Sequence, residues 1–582
     1  MSKQSDQRLR LIMFVFAAAF AVVIGRALYV QILQASALAA RAHGQQNSTT
    51  VVPTSRGRIL DATGKTLAVD VPAKDLMVYP ARVQDPGQVA SYIAQKLGYQ
   101  LKHKKAFKKE VRFLVDRLTV PGQPHVVQAI VLSQLDPTVA AEIMSAHTPG
   151  LFTLDSVRRD YPSGKLASQL IGYVGPGDSG TLGSGIEHEY NSVLGGHPGE
   201  QLEVRGPGGV PLSTVTLRRA QQGRDVQLTI DRSIQQKVQS VLDATVSRTG
   251  AHNATALVLD PRNGSILAMA TAPGYDNNKV HDLSTKQFDR DTHNMAVEYS
   301  YEPGSTFKVV TMGAALTAGF VTPQTQFRIP YAIKVGDRVV HDDAVRPTRT
   351  FTAAQILQQS SNVGTVTIAE LVHKQPLYDW IRRWGFGSPT HIGLPAEAWG
   401  AVMPPDKWYS SSIGNIPIGQ GISVTPLQMA AMYAGIANGG VIVEPHVVKK
   451  IGGRPAPKPV SRRVLSPTVD HTLVNMLKGV VDTAAGTGTR ASVPGYTVAG
   501  KTGTAQVALP HSLGYSTRNY VASFVGFLPA DNPRVEVLVV VNSPRTNIFG
   551  GIVAAPAFQQ IATYLTKDLA IPPDKPFGLP VN

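Results

Sequence analysis

Three short polar motifs in the second half of the chain could together carry out acyl transfer. They are Ser305-Thr306-Phe307-Lys308, Ser360-Ser361-Asn362 and Lys501-Thr502-Gly503-Thr504. Each motif alone is a weak signal, because short polar strings occur by chance in most long proteins. In this order they match the S-x-x-K, S-x-N and K-T-G elements of enzymes in which a serine opens an amide that ends in a carboxylate. The set predicts a nucleophile, a base, a proton shuttle and a carboxylate-binding group.

The sequence around Ser305 favours this serine as the nucleophile. It follows Pro303 and Gly304, and the apolar spacing over 307–318 predicts a buried helix. Pro and Gly just before a helical run place the serine at the helix N-terminus. Unpaired backbone N–H groups there favour the negative charge that develops during attack. Lys308, three residues on, shares a helix face with Ser305 and can reach its hydroxyl.

The second and third motifs supply groups that could make Lys308 a base. A lysine is a base at neutral pH only when its pKa is lowered, and burial beside a second cation would do this. Lys501 is the candidate for that cation. Ser360 could relay the proton to the leaving group, and Asn362 could hold both Lys308 and the substrate amide.

The third motif is predicted to bind the substrate. Lys501 and Thr502 would hold a terminal carboxylate, and Gly503 and Thr504 would continue the binding strand. The backbone N–H groups of Ser305 and Thr504 would form an oxyanion hole.

The same region also matches a nucleotide-binding pattern. Residues 495–502 fit G-x-x-x-x-G-K-[ST] letter for letter. A phosphate loop requires a helix that begins at the lysine, whereas the residues after Thr502 predict an extended segment that ends at Pro510. The match is therefore interpreted as a coincidence.

Two predicted hairpins and a terminal helix indicate how these motifs are positioned. Apolar runs at 255–259 and 266–271 flank a Pro- and Gly-containing turn, and runs at 521–528 and 535–541 flank another. Helical spacing is found at 234–246 and 554–569. Hairpins at both ends of the region predict an antiparallel sheet completed by distant segments, in an α+β fold.

The N-terminus predicts a membrane anchor. The segment 11–33 is almost wholly apolar and follows Lys3, Arg8 and Arg10. It reaches the roughly 20 residues that a spanning helix needs, and the basic flank predicts a cytoplasmic tail at 1–10 with the remainder outside. A cleaved signal peptide with a small-residue site at 35–37 is the alternative.

Length and composition limit the remaining classes. A chain of 582 residues is expected to form two or three domains. It contains no cysteine, which excludes thiolate metal sites, disulfides and a cysteine nucleophile. The net charge of +16 suits an anionic neighbour such as lipid headgroups or wall polymer, and the predicted topology disfavours nucleic acid. A basic cluster over 102–112 is interpreted as a solvated helix face, with contact to anionic polymer or a partner as the alternative.

Further motifs extend a resemblance along nearly the whole chain. Together with the three motifs above, the chain resembles the class B penicillin-binding proteins in Arg56-Gly57-Arg58-Ile59-Leu60-Asp61, Arg159-Asp160-Tyr161-Pro162, Gly183-Ser184-Gly185-Ile186-Glu187, Leu228-Thr229-Ile230-Asp231, Gly419-Gln420-Gly421 and Thr425-Pro426-Leu427-Gln428. One departure is the turn Asp61-Ala62-Thr63-Gly64, where the family more often has D-R-N-G, and nothing catalytic depends on it.

The resemblance implies an architecture and a reaction. It implies an elongated α+β pedestal, similar to a dimerisation domain, at 34–222 and a penicillin-binding transpeptidase domain at 223–582. In the implied reaction Ser305 attacks the D-Ala-D-Ala amide of a stem peptide, and an amine of a neighbouring stem peptide accepts the acyl group. β-Lactams would acylate the same serine, and no metal or cofactor is called for.

The resemblance also implies partners, and it leaves alternatives open. A SEDS-type membrane glycosyltransferase similar to FtsW, with other division proteins, would accompany a septal, FtsI-type enzyme. An elongation-type transpeptidase, a carboxypeptidase or β-lactamase on the same site, and an inactive scaffold are the alternatives. A β-lactamase needs a base for its deacylating water, and Glu397 and Asp406 are interpreted as solvated surface residues instead.

Overall fold

The computed structural model describes residues 3–34, 47–52, 54–100, 103–123, 128–175, 183–205, 211–509 and 514–575. They divide into two compact units. The first comprises Met1–Ser55 with Gly196–Gly223, and the second comprises Arg56–Gly195 with Arg224–Asn582.

The elements are numbered in chain order. The strands are β1 Asn47–Val52, β2 Ile59–Leu60, β3 Thr66–Val78, β4 Ala129–Leu135, β5 Leu151–Asp160, β6 Gly199–Arg205, β7 Pro211–Arg218, β8 Val226–Leu228, β9 Asn253–Leu259, β10 Ile266–Ala272, β11 Gln326–Ile329, β12 Ala332–Val335, β13 Arg338–His341, β14 Arg349–Thr352, β15 Val441–Val443, β16 Val448–Ile451, β17 Arg454–Pro455, β18 Ser461–Arg463, β19 Ala499–Ala508, β20 Tyr515–Leu528 and β21 Val535–Asn542. The α-helices are α1 Lys3–Leu28, α2 Pro86–Lys96, α3 Lys104–Thr119, α4 Pro137–Met144, α5 Ser168–Ile171, α6 Gly185–Glu189, α7 Asn191–Leu194, α8 Arg232–Thr249, α9 Thr285–Asp291, α10 Lys308–Thr317, α11 Ala353–Gln358, α12 Asn362–Val372, α13 Lys374–Arg383, α14 Ser412–Asn415, α15 Pro426–Ala437, α16 Pro467–Asp482, α17 Gly550–Val553 and α18 Ala555–Asp568.

In the first unit, a long apolar helix coincides with the predicted anchor. Helix α1 continues into a π-helical turn at Tyr29–Leu33. Among the described residues, Gln7–Ile32 is the one helical segment long and apolar enough to cross a membrane, and an 18-residue window within it has a mean hydropathy of 2.4. At about 1.5 Å per residue it exceeds the thickness of a bilayer core of about 30 Å. The alternative cleavage site at 35–37 lies outside the described residues. The same unit contains an antiparallel sheet in the order β1-β6-β7.

The second unit contains a five-stranded antiparallel sheet in the order β10-β9-β21-β20-β19. Both predicted hairpins are therefore confirmed, and β21 joins them by pairing with β9. Side chains alternate along β21 as a strand requires. Val537 and Val539 pack into the core with α8 and α18, whereas Leu538 and Val540 pack into the core with α10 and α15. Two layers of helices thus cover the sheet and leave β19 at its edge.

The predicted basic helix is also observed in this unit, as α3. Lys104, Lys105, Lys108 and Lys109 are exposed, whereas Leu114 and Leu118 are buried in a core shared with α2. This pattern supports the solvated-face interpretation of the cluster. Lys102 lies outside the described residues.

A second sheet of the same unit joins segments that are far apart in the chain. Its order is β17-β16-β8-β2-β3-β4, and β5 also pairs with β3. Strands β2 and β8 are parallel, and β8 pairs with β16 on its other side. Strand β8 therefore pairs with one strand from each side of the predicted domain boundary at 222–223. That boundary stays a prediction.

Buried charges hold the N-terminal part of this unit together. Glu187 is fully buried and lies 3.0 Å from Arg56 Nη2 and 2.6 Å from Arg159 Nε. Arg159 Nη1 also lies 3.0 Å from Asp70 Oδ1, and both side chains are less than a tenth exposed. Removing one member of such a network leaves the others charged and desolvated.

We therefore expect Glu187→Gln to lower the free energy of unfolding by about 3–5 kcal/mol. Urea denaturation followed by circular dichroism measures the change. Asp155→Asn is the matched control, because Asp155 pairs with Lys74 at an exposed position, where the loss should be about 1 kcal/mol or less. Equal losses in the two variants would contradict a stabilising role for the buried network.

Candidate active site

Ser305 lies in a tight turn that is packed against the edge strand β19. The turn is a 3-10 helix, Gly304–Phe307, and α10 follows from Lys308. The predicted helix over 307–318 is thus observed one residue shorter at each end. Gly304 has a φ of +56°, and a Cβ there would lie 2.9 Å from the Thr504 carbonyl oxygen, so only glycine permits this approach. Ser305 is half-buried, and its Oγ makes no hydrogen bond to any described residue.

Lys308 is directed toward the second motif. Its side chain is buried, and Nζ donates to Asn362 Oδ1 at 2.6 Å, to the Ser360 carbonyl at 2.5 Å and to Ser360 Oγ at 3.2 Å. The predicted contact between the S-x-x-K and S-x-N motifs is therefore present. Nζ does not hydrogen-bond to Ser305 Oγ. For Lys308 to approach that hydroxyl as predicted, its ammonium must lose one or more of these three hydrogen bonds.

Ser360 Oγ connects two buried lysines. It accepts from Lys308 Nζ at 3.2 Å and from Lys501 Nζ at 2.9 Å. The backbone of Ser360 has a φ of +58°, an unusual value for a non-glycine residue that is tolerated where the surrounding structure enforces it. The hydroxyl is therefore fixed between the two amines, as a proton shuttle requires.

Burial lowers the pKa values of both lysines. It lowers the pKa of Lys308 to about 8, although the charges of Asp343 and Asp342 partly oppose the effect. Burial, and then the charge of Lys308, lower the pKa of Lys501 well below its usual range. Each lysine therefore gains access to its neutral form near neutral pH.

The K-T-G motif forms part of strand β19. Lys501 pairs with Val525 and Gly503 with Ser523 of β20, and a Cβ at Gly503 would lie 2.3 Å from Ser523 Oγ. A strand at this position, instead of a helix beginning at Lys501, confirms that the phosphate-loop match is a coincidence. Because β19 is at the sheet edge, its free side can pair with an extended ligand.

Within Lys501–Thr504, the two threonines retain some exposure, whereas Lys501 does not. Lys501 is fully buried, whereas Thr504 is half-buried and Thr502 retains slight exposure. Thr502 Oγ1 lies 2.7 Å from Thr487 Oγ1, and Thr504 Oγ1 accepts from the Gly550 N–H at 3.2 Å. A substrate carboxylate would thus meet the threonine hydroxyls, and Lys501 would act on it from behind.

Asp342 is a supporting residue that the sequence did not reveal. It is buried and accepts from Ser361 Oγ through both oxygens at 3.0 Å, and from the Val363 N–H at 3.1 Å. Arg346 pairs with its Oδ2. Ser361 Oγ in turn accepts from the Gly364 N–H at 2.9 Å and caps α12. No motif marks an aspartate 18 positions before the S-x-N string, so only the tertiary contact identifies it.

Asn362 is held at both ends of its amide. Oδ1 accepts from Lys308, and Nδ2 donates to the His341 carbonyl at 3.0 Å. The predicted contact between Asn362 and a substrate amide would therefore compete with the bond to His341.

Two further polar groups adjoin the turn Gly304–Phe307 that carries Ser305, called here the nucleophile turn. Tyr433 is fully buried, and its hydroxyl donates to the Thr306 carbonyl at 2.9 Å. Glu302 Oε1 accepts from the Gly421 N–H at 3.1 Å and from the Tyr515 hydroxyl at 3.3 Å. Burial raises the pKa of Glu302 to about 7. The sequence signal that could have identified Glu302 as a residue of the site is its position directly before Pro303-Gly304-Ser305.

The two carboxylates considered for a deacylating water differ in their surroundings. Asp406 is exposed, as expected. Glu397 is only half-exposed, and its Oε1 accepts from the backbone N–H of Thr390 at 2.5 Å and from its hydroxyl at 2.6 Å. The expectation that Glu397 is a solvated surface residue is therefore corrected, because it fixes a turn.

Comparison with known proteins accounts for this geometry. The family model of the penicillin-binding protein transpeptidase domain matches residues 254–563, and that of the penicillin-binding protein dimerisation domain matches residues 51–228. The chain belongs to the class B penicillin-binding proteins.

Relatives of this penicillin-binding protein align along almost its entire length. Penicillin-binding protein PbpB of Mycobacterium tuberculosis is 34% identical over 572 residues, which cover 94% of this chain and 82% of the relative. Peptidoglycan D,D-transpeptidase FtsI of Escherichia coli is 30% identical, with coverage of 96% and 91%. The crystal structure of penicillin-binding protein 3 from Mycobacterium tuberculosis complexed with ampicillin matches with a TM-score of 0.70 and 30% identity, with coverage of 91% and 98%. The predicted family and α+β fold are confirmed.

The pKa of Lys308 predicts how acylation of this penicillin-binding protein depends on pH. A base must be neutral, and the neutral fraction of Lys308 increases about tenfold per pH unit below its pKa. We expect the second-order rate of acylation by penicillin to rise about tenfold from pH 6 to pH 7 and to level off near pH 8. Stopped-flow measurements with a fluorescent penicillin give the profile.

A matched pair of variants tests whether Lys308 sets that profile. The charge of Asp343 raises the pKa of Lys308, so Asp343→Asn should move the midpoint to lower pH. Asp337→Asn, an exposed change in the turn between β12 and β13, should leave it unchanged. A profile that stays flat, or a shift to higher pH in Asp343→Asn, would show that another group is the base.

Loss of Asp342 should disturb the second motif. In Asp342→Asn, one carboxylate oxygen becomes an NH₂ group, which cannot accept a hydrogen bond. The side chain then has a single oxygen to accept from Ser361 and Val363, and Arg346 loses its ion pair. We expect acylation to slow at least about tenfold, as for loss of one hydrogen bond to a charged group, with little change in the initial affinity for penicillin. Measurement of the rate at several drug concentrations separates the two constants. Asp343→Asn, beside it, should not show this loss.

Proposed function

We propose that this penicillin-binding protein is a peptidoglycan D,D-transpeptidase that cross-links stem peptides through an acyl-enzyme on Ser305. The observation that carries the proposal is the placement of Ser360 Oγ between the buried amines of Lys308 and Lys501, on the two motifs that complete the Ser305 site. The comparisons support the same activity, since relatives along the whole chain are named D,D-transpeptidases.

In the first step, Ser305 Oγ attacks the carbonyl carbon of the D-Ala-D-Ala amide. Its proton passes to neutral Lys308 and, through Ser360, to the nitrogen of the leaving D-alanine. The C–N bond breaks, and an ester forms between the stem peptide and Ser305. The backbone N–H groups of Ser305 and Thr504 are the proposed donors to the oxyanion.

In the second step, an amine of a neighbouring stem peptide attacks the ester carbonyl. The C–O bond to Ser305 breaks, the new amide cross-link forms, and the proton lost by the amine returns to Ser305 through Lys308. Thr502, Gly503 and Thr504 would align the donor peptide along the free side of β19, with its terminal carboxylate near Lys501. None of these steps calls on a metal or a cofactor.

The cellular setting follows from the anchor and the relatives. The basic residues before the apolar helix support a cytoplasmic N-terminus, with the catalytic domain outside the plasma membrane. FtsI-type relatives support a septal role. A SEDS-type glycosyltransferase similar to FtsW, together with other division proteins, would then supply and position the glycan strands.

Intact-mass measurement after incubation with penicillin tests this function. We expect one stable adduct on the wild type and none on Ser305→Ala, because the acyl-enzyme forms on that oxygen. Lys308→Ala should form the adduct at least about a hundredfold more slowly, the usual contribution of general acid–base catalysis.

A synthetic stem peptide with an added acceptor amine completes the test. The cross-linked product should form in preference to the hydrolysed peptide. Rapid turnover of the drug without an adduct would indicate a hydrolase. Absence of any adduct on the folded wild type would leave only a scaffolding role.

A further inference from the structure

A cavity of about 470 Å³ lies away from the catalytic motifs, among α13, α15, β15 and β18. Its charged lining residues are Arg382, Arg383, Glu444 and Arg462, and His391 also lines it. The volume is within the range of about 300–1,000 Å³ that is typical of small-molecule sites. The cavity shares no residue with the three catalytic motifs.

Two of the three arginines are held in place by neutral groups. Arg382 donates from Nη1 to the Phe386 carbonyl at 2.7 Å and from Nη2 to Ser388 Oγ at 3.0 Å. Arg462 Nη1 donates to the Arg383 carbonyl at the end of α13. The guanidinium groups are therefore positioned before any ligand arrives, which lowers the entropy cost of binding.

Glycines in the turn after α13 make this arrangement possible. Gly385 and Gly387 have φ values of +96° and +76°, and a Cβ at Gly387 would lie 2.3 Å from Arg382 Nη1. At Gly385 the same atom would lie 3.1 Å from Arg462 Nη2. The backbone thus approaches both guanidinium groups closely.

The positive charge of the cavity is not neutralised within the described chain. No carboxylate of a described residue lies within 4.0 Å of these three guanidinium groups. Burial, and then the charge of Arg383, lower the pKa of Arg462, and Glu444 only partly offsets this effect. Like charges brought together in this way are relieved by an anion.

A purely structural role explains only part of the cluster. Basic side chains often cap the last carbonyls of a helix, which accounts for the bond from Arg462 to the end of α13. It does not account for Arg383, whose guanidinium makes no hydrogen bond to a described residue and stacks 5.6 Å above the Trp380 ring. Arg383 is exposed, and none of its five N–H donors is used by a described residue, so they can donate to a ligand.

The remaining lining residues indicate the rest of the ligand. Trp384 and Ile442 line the cavity and expose only 5% and 7% of their surface, a small apolar area against which the edge of a sugar ring or a short aliphatic body can pack. Glu444 Oε2 accepts from the Val460 N–H at 3.1 Å, while Oε1 has no hydrogen-bond partner among the described residues and can accept from a hydroxyl or an amide. Guanidinium groups favour carboxylates and phosphates, which they bind in a bidentate manner.

We propose that this cavity is a binding site for an anionic sugar, that is, a sugar carrying a phosphate or a carboxylate. Arg383 and Arg462 bind the anionic group, Glu444 accepts from a ring substituent, and Trp384 supports the ring. The site is independent of the acyl-transfer chemistry proposed for Ser305.

Isothermal titration of the full-length protein in detergent tests the proposal with three probes. Glucose 1-phosphate and N-acetylmuramic acid present the two anion types on a sugar, and N-acetylglucosamine is the neutral control. We expect at least one anionic probe to bind and the neutral probe to bind at least about tenfold more weakly, as for loss of a hydrogen bond to a charged group. Comparison of the two anions identifies the preferred source, phosphate or carboxylate.

Three variants locate the binding. Arg383→Gln removes no hydrogen bond to a described residue and should weaken binding of the anionic probe about tenfold. Arg462→Gln retains a donor for the Arg383 carbonyl and should have a similar effect. Arg328→Gln removes the same charge from an exposed position on β11 and should have none. Unchanged melting temperatures and penicillin acylation verify that each variant is folded.

The proposal is overturned if the anionic probes bind no better than N-acetylglucosamine. It is also overturned if Arg383→Gln binds them as the wild type does, because the anion would then occupy another place, such as the Ser305 cleft. If Arg462→Gln proves unstable, Arg383→Gln alone decides the outcome.

Discussion

Two lysine amines must be buried around one serine hydroxyl, and much of the transpeptidase domain serves that requirement. An isolated ammonium loses several kcal/mol on transfer from water to a protein interior, and Lys308 and Lys501 are both buried. Among the described residues, no carboxylate lies within 4.0 Å of either amine, so neutral oxygens of Ser360, Asn362 and Thr502 are their acceptors. A buried ammonium whose acceptors are neutral oxygens loses its proton more readily than one that is paired with a carboxylate. The same arrangement that costs stability therefore lowers the pKa values of both lysines, as the proposed role of Lys308 as a base requires.

The sheet edge and its glycines determine how closely the three motifs can approach one another. Strand β19 is paired on one side only, so the nucleophile turn packs beside it and the remaining free edge can accept an extended peptide. Gly304 permits this contact from the turn, and Gly503 permits it from the strand, where a Cβ would also lie 2.9 Å from Thr306 Cγ2. Tyr433 then fixes the Thr306 carbonyl from the core. The position of Ser305 is thus determined by backbone packing, so its hydroxyl does not need a hydrogen bond to any described residue to hold it there.

Local patterns were sufficient to predict the parts of the molecule that depend on neighbouring residues. The hairpins β9–β10 and β20–β21, the apolar N-terminal helix and the start of α10 each follow from apolar spacing and turn residues in one short segment. The support of the S-x-N motif by Asp342, the complete burial of Lys501 and the left-handed backbone of Ser360 arise from contacts between segments distant in the chain. Asp342 and Glu397 illustrate the limit, because an aspartate or glutamate in a polar segment has the same sequence signature whether it is solvated or fixes a turn.

The surroundings of the acyl-enzyme favour transfer to an amine over hydrolysis. Water is a weak nucleophile, and its attack on an ester needs a base positioned on the acyl group. Among the described residues no carboxyl group hydrogen-bonds to Ser305 Oγ, and Glu302, the nearest in sequence, is held through its Oε1 by the Gly421 N–H and the Tyr515 hydroxyl. An amine needs less assistance, because it is the stronger nucleophile and loses its proton only as the new bond forms. In the proposed mechanism, Lys308 returns to its neutral form when D-alanine departs with the first proton, and it is then available to accept the proton that the amine loses.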